Sequence, residues 1–238
     1  MMENPVPVIQ RDDTLADSLP QAERPRSVAG TVLARLRAER RWTLADVAAR
    51  TGVSISTLSK IENNQTSPTY SVLTRLASGL GIDFVHLIGG AGSQMPKGAR
   101  TITRADTGTM FETTMGRYQA LASELGGKMI EPMLIEIPVR KVLSERIRSS
   151  HKGEEFVFVL SGPVEFLMEP YAPTLLDTGD SVYFDGSMSH GFRATGPSPA
   201  QILSICLSSG SNPDAVPAAP RASAAKAKSA GAQPKPRG

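Results

Sequence analysis

Between residues 27 and 88 the apolar positions recur at helical spacing: Val32, Leu33 and Leu36, then Leu44, Val47 and Ala48, then Leu58 and Ile61, then Val72, Leu73, Leu76 and Leu80. Each run continues one face of a 3.6-residue period. Polar residues punctuate them where helices start. Thr43 offers a cap with Asp46 in the first turn, Ser54 caps the next helix after the Gly52-Val53 turn, and Asp83 caps a last short helix. Ser67-Pro68 reads as a cap followed by proline at the first helical position. The pattern predicts five short helices in one all-α domain. GGAGSQMPKG (89–98) supports neither helix nor strand and reads as a linker. Beyond it the period changes. Short β-prone runs at 129–137, 155–160, 164–168, 181–184, 191–194 and 202–207 are separated by turn signals such as Ser161-Gly162-Pro163 and Asp185-Gly186. That rhythm predicts an antiparallel barrel or sandwich. The expected division is a disordered arm (1–26), a helical domain (27–88), a linker (89–100), a β domain (101–209, core about 128–207) and a disordered basic tail (210–238).

Composition narrows the class. The 238 residues suffice for two small domains. Cys206 is the single cysteine, which excludes an internal disulfide framework and fits a reducing cytosol. No apolar run reaches membrane-spanning length, and the N-terminus carries acids and prolines where a secretory signal needs a basic start and an apolar stretch. A cytoplasmic location without membrane attachment is expected. The net charge of +3 is uneven: the helical region and the tail are basic, whereas the β region is mildly acidic. A basic module suits a polyanion, leaving a different role for the rest.

A helix-turn-helix needs a supporting helix, a tight turn and a recognition helix whose first turn faces base edges. The stretch TLADVAARTGVSISTLSKIENNQTSPTYSVL (43–73) meets each demand. Leu44, Val47 and Ala48 point inward, Gly52 makes the turn, Val53, Leu58 and Ile61 hold the recognition helix from behind, and Ile55, Ser56, Ser59 and Lys60 are left outward. These residues closely resemble the xenobiotic-response-element family of helix-turn-helix proteins, related to the phage lambda and 434 repressors. The resemblance spans about sixty residues and rests on the pattern L-x-x-V/L-A-x-x-x-G-V-S…L-S-x-I-E-N. It implies that Ser54, Ile55, Ser56, Ser59 and Lys60 face the major groove. It further implies that Arg37 and Glu62 form a structural ion pair. Thr43, Leu44, Asn63, Asn64, Gln65 and Thr66 lie where family members approach phosphates, although Leu44 departs from a polar residue used in the phage repressors. Ile55 is suited to thymine methyls and Lys60 to guanine. A single module buries little surface, so a homodimer on a pseudo-palindromic double-stranded operator is the physical expectation.

In the β region, SSHKGEEFVFVLSG (149–162) and GDSVYFDGSMSHGF (179–192) are similar to the two motifs of cupin domains, the double-stranded β-helix barrels fused to such modules. Metal-binding cupins usually carry His-x-His-x-x-x-Glu in the first motif and His in the second. Here the first histidine position holds Ser149, leaving His151, Glu155 and His190. Two imidazoles and a carboxylate can form a facial triad on Fe, Mn, Ni or Zn. The same three residues serve equally as a hydrogen-bonding effector pocket without metal, flanked by Ser149 and Tyr183. Arg146, Arg148 and Phe192 also border the motifs, and Cys206 reads as a buried, inert thiol. Three functional readings follow. One is a regulator whose cupin barrel binds a small-molecule effector. Another is a mononuclear iron oxygenase or epoxidase with a vestigial helix-turn-helix, because the ligand set and the run Ser150-His151-x-Gly153-x-Glu155-Phe156 resemble the hydroxypropylphosphonate epoxidases. An adaptor with an empty barrel is a third.

Overall fold

The structure is a computed structural model and describes residues 27–94, 96–141 and 147–207. The predicted N-terminal arm, the basic tail and Arg146 lie outside the described residues.

Helices α1 (Val28–Glu39), α2 (Leu44–Thr51), α3 (Ile55–Glu62), α4 (Tyr70–Leu80) and α5 (Phe84–Leu87) form the N-terminal domain. Leu33, Leu58, Ile61, Leu73, Leu76 and Leu80 are fully buried together, so the apolar stripes of α1, α3 and α4 make one core. Local chemistry sets the ends. Thr43 and Asp46 form a reciprocal capping box at α2, with Asp46 N–H to Thr43 Oγ1 at 3.1 Å and Thr43 N–H to Asp46 Oδ2 at 2.8 Å. Gly52 closes α2 at φ +65°, a left-handed conformation that favours glycine. One expected cap moves. Thr69, rather than Ser67, caps α4, its hydroxyl accepting from Val72 N–H at 3.2 Å, so Pro68 lies before the cap instead of inside the helix. Arg37 and Glu62 pair bidentately, Nε to Oε1 at 2.8 Å and Nη2 to Oε2 at 2.9 Å, joining α1 to α3.

The second domain is antiparallel apart from one short pair. Strands β2 (Thr109–Glu112), β3 (Arg117–Ala120), β5 (Ile130–Ile137), β11 (Ala200–Leu207), β6 (Glu154–Ser161) and β9 (Ser181–Asp185) lie in that order in a six-stranded sheet. A second sheet runs β10 (His190–Ala194), β7 (Val164–Met168), β8 (Thr174–Leu176). Bridges Ser149–His190 and Val139–Ala194 stitch the two sheets into a cupin barrel. Inside lie Met133, Ile135, Ile137, Val157, Val159 and Ile202, with Phe166, Phe184 and Phe192 stacked on one side. The expected linker is partly structured. Within it β1 (Ser93–Gln94) pairs in parallel with β4 (Leu125–Gly126), which docks the chain leaving α5 onto the barrel.

Candidate functional site

Helix α3, the expected recognition helix, is held from behind and bare in front. Ser54 caps α3, its hydroxyl accepting from Thr57 N–H at 3.2 Å and meeting Ser56 Oγ at 3.0 Å. Ile55 is half exposed, Ser56 and Lys60 are exposed, and Ser59 is partly so, while Leu58 and Ile61 are fully buried. Two of the expected phosphate contacts have other partners. Asn63 donates from Nδ2 to the Ser59 carbonyl at 2.9 Å, finishing α3. Asn64, at φ +56°, accepts from Ser27 N–H at 3.0 Å and ties α3 to the start of α1. Thr43 keeps its capping box, and Leu44 packs partly against the core.

Strand parity builds the barrel site. In β6 the odd residues turn inward, which sends Glu155, Val157 and Val159 into the barrel and Glu154 outward. Cross-strand register then places Phe184 opposite Glu155, and Tyr183 opposite the outward Phe156. Tyr183, expected to flank the pocket, therefore stands 64% exposed on the outer face. Phe184 takes the inward place, edge-on to His190 at 4.8 Å.

His151, Glu155 and His190 do meet, all buried. Nε2 of His151 stands 3.0 Å, and Nε2 of His190 3.3 Å, from the same atom, Glu155 Oε2. Ser204 donates to the other oxygen, Oε1, at 2.7 Å. The Nδ1 of His190 lies 2.8 Å from the Met188 carbonyl, an acceptor that requires a proton on that nitrogen. Its Nε2 is thus turned to the centre. Burial by itself would push the Glu155 carboxyl up, but hydrogen bonds from His151 and His190, with their positive charge, outweigh it and bring it down to about 2. A buried carboxylate facing two imidazole nitrogens calls for positive charge at the centre, as protons or as a cation.

The donor set suits a divalent metal. Two donors about 2.1 Å from one ion and at right angles stand about 3 Å apart, close to the two nitrogen–oxygen separations here. Among the described residues, however, the group whose ligand atoms all lie within 4.8 Å of one another is His151, Glu155 and Cys206, rather than the expected triad. Cys206 Sγ lies 4.0 Å from His151 Nε2 and 3.6 Å from Ser204 Oγ. The thiol expected to be inert borders the site. Burial and the neighbouring Glu155 charge push its pKa well up, so it has thiol rather than thiolate character in this setting.

The helical domain reaches this site. Tyr70, the first residue of α4, is buried with its ring edge-on to His151 at 5.1 Å and stacked over Tyr118 at 6.4 Å. Beside it, Ser71 N–H donates to Ser149 Oγ at 3.1 Å, so the barrel supplies a cap to a helix of the other domain. Sequence reading missed Tyr70 and Ser204. An aromatic in the first turn after Pro68-Thr69, in a chain with few aromatics, was the available signal for the former.

Next to this contact, Lys128 Nζ and Glu131 form a buried pair at 3.2 Å. Burial pushes Glu131 up from 4.5 to about 7, against the pull of Lys128. A carboxyl whose value is raised on folding contributes stability that is complete below the unfolded value and lost as pH rises through the folded one. The wild-type melting temperature should therefore fall between about pH 4.5 and 7 relative to Glu131→Gln. Parallel melting curves for the two proteins across that window would show that Glu131 does not titrate there.

With this geometry in view, the chain's relatives can be stated. A helix-turn-helix family model matches residues 33–87 and a cupin domain model matches residues 134–206. The HTH-type transcriptional regulator SutR of Escherichia coli K12 is 27% identical over 175 residues, covering 74% of this chain and 92% of SutR. The uncharacterized HTH-type transcriptional regulator y4dJ of Sinorhizobium fredii is 40% identical over 63 residues, 26% of this chain and 82% of y4dJ. Two solved structures overlay loosely. An HTH_3 family transcriptional regulator from Vibrio cholerae gives a TM-score of 0.48 at 21% identity, covering 76% of this chain and 96% of that one. Hydroxypropylphosphonic acid epoxidase from S. wedmorenis gives 0.40 at 21% identity, covering 76% and 98%. Neither overlay bears on function. The chain belongs to the helix-turn-helix transcriptional regulators, in the xenobiotic-response-element-like group, with a C-terminal cupin domain. Among the described residues no helix is long and apolar enough to cross a membrane.

Proposed function

We propose that this protein is a sequence-specific regulator that binds a pseudo-palindromic DNA operator as a homodimer and answers to a small-molecule effector through its cupin domain. The observation carrying the DNA half is α3: its polar front, with Ser56 and Lys60 exposed, is mounted on a fully buried Leu58–Ile61 back and capped by Ser54. Such a helix presents its first turn to base edges. The sensing half is supported by Tyr70 and the Ser71–Ser149 hydrogen bond, which join the DNA-binding domain to the rim of the barrel. A ligand acts on such a pair only if it binds one arrangement of the two domains better than another.

His151, Glu155 and His190, with Cys206 alongside, would hold a divalent ion such as Fe, Mn, Ni or Zn. When bound, the ion supplies Lewis acidity and a fixed positive charge. The chain's own part is to orient the imidazoles, through the Met188 carbonyl and Glu155, with the Tyr70 and Phe184 rings packed edge-on against them. A small interior space of about 10 Å³ beside Glu155 and His190 has room for about one water molecule.

The double variant Ser56→Ala/Lys60→Ala tests the assignment. Selection of bound sequences from random DNA first supplies the operator. The variant should then bind it more weakly by over about 1 kcal/mol, as for lost base contacts, with an unaltered circular dichroism spectrum. Equal affinity in a titration by fluorescence anisotropy would remove α3 from the recognition role.

A further inference from the structure

The roomy space in this molecule is not inside the barrel. A cleft of about 990 Å³ lies between the helical domain and the barrel mouth, walled by α2 and α4 on one side and by the segments at Lys128–Glu131, Ser150–Lys152 and Ser187 on the other. Its volume is at the upper end of the range for small-molecule sites, and domain boundaries are where such sites recur. Tyr70 lines both this cleft and the small interior space, so its ring is the partition between them.

The lining is polar and its charges are unevenly matched. Ser71, Thr74 and Ser78 form a row along one face of α4, with Ser150 and Ser187 contributed by the barrel. The cations outnumber the acids, Arg50, Arg75, Lys128 and Lys152 against Asp46, Asp83 and Glu131. Glu131 is paired with Lys128, whereas Asp46 accepts from Thr43 and Asp83 from Val85 N–H and Gly127 N–H. Arg50 lies over the Trp42 ring at 4.1 Å, Arg75 donates to the neutral carbonyls of Thr51 and Gly52, and Lys152 is exposed. Among the described residues none of the three makes an ion pair. Arg50 and Arg75 belong to the helical domain and Lys152 to the barrel, so an excess of positive charge borders the cleft from both sides, although the Arg50 charge also acts on Asp46.

We infer that this interdomain cleft, and not the barrel interior, receives the effector, and that the effector is a small polar organic anion bearing carboxylate groups. The inference rests on the regulator reading, since only there does a ligand touching both domains have something to control. Carboxylates would be drawn by Arg50, Arg75 and Lys152, and hydroxyls on the ligand would meet the serine and threonine row. Occupancy would bridge α4 to the barrel and bias how the recognition helix is carried.

Isothermal titration of the full chain with citrate and with succinate tests it, beside Lys152→Glu and Ser78→Trp. Both changes fall at exposed positions, one reversing a charge and the other filling the space. Saturable uptake of at least one probe, weakened about tenfold or more by each variant and unchanged by Tyr183→Ala on the outer face, is the expected result. No uptake of either probe, or uptake that Lys152→Glu and Ser78→Trp leave unaltered, overturns the assignment. Operator affinity, measured on the same preparations, keeps the two readings apart. Probe uptake without operator binding would sink the regulator reading, whereas operator binding without uptake would sink the cleft alone.

Discussion

Glu155→Gln should strip the barrel of divalent metal, with affinity falling by more than about 100-fold while the fold persists. The amide matches the carboxylate in size and still accepts from Ser204, which approaches Oε1 at 2.7 Å. What it loses is the charge at the other oxygen, the atom both imidazoles face at 3.0 and 3.3 Å. Elemental analysis of protein purified without chelator or affinity-tag metal is the measurement, with the wild type expected to hold near-stoichiometric iron, manganese, nickel or zinc. A wild type devoid of all four would mean that protons alone balance Glu155, and the three residues would then be a hydrogen-bonded core. A Cys206→Ser variant separates the two donor sets. Metal lost from it assigns the ion to the His151–Glu155–Cys206 group, and metal retained assigns it to the pair of histidines with Glu155.

The second large effect is expected far from that site. Gly30→Ala puts a methyl group 2.4 Å from the Ile61 carbonyl oxygen and 3.0 Å from Ser27 Oγ. The first contact is with backbone, so α1 and α3 must separate where they now pack closely. Alanine favours helix over glycine by about 1 kcal/mol, but overpacking of this kind costs about 1–3 kcal/mol and also disturbs the Ser27 cap. The net result should be a lower melting temperature together with weaker operator binding, because Ile61 is on the helix proposed to read DNA. A variant as stable as the wild type would show that α1 can shift away without penalty.

Much of this was legible in the chain. The helical domain was, because Leu33, Leu58, Ile61 and Leu73 repeat at the right period and Gly52 marks the turn. Arg37 and Glu62, paired on resemblance alone, are joined as expected. Strands β2 and β3 escaped because Thr109–Glu112 and Arg117–Ala120 are four residues each, too short for period-two alternation to register. Tyr183 was placed by proximity to the motif, and a single step of strand parity sends it outside. For Tyr70 the local pattern offered only an aromatic in a first turn, and its burial depends on where a second domain sits. Ser67-Pro68 carried the right residues for a cap, but Thr69 stands closer to the apolar stripe that begins the helix.

Ser149 has a consequence for the barrel's chemistry. It occupies the position where metal cupins carry their first histidine, yet its hydroxyl is committed to the Ser71 N–H of the DNA-binding domain, beside the Tyr70 ring. An imidazole there would fill the space in which α4 is seated. A fourth protein ligand and this seam between domains are thus mutually exclusive uses of one position. A histidine at this position would add a ligand to the metal cage at the expense of one of the hydrogen bonds that tie the helical domain to the barrel.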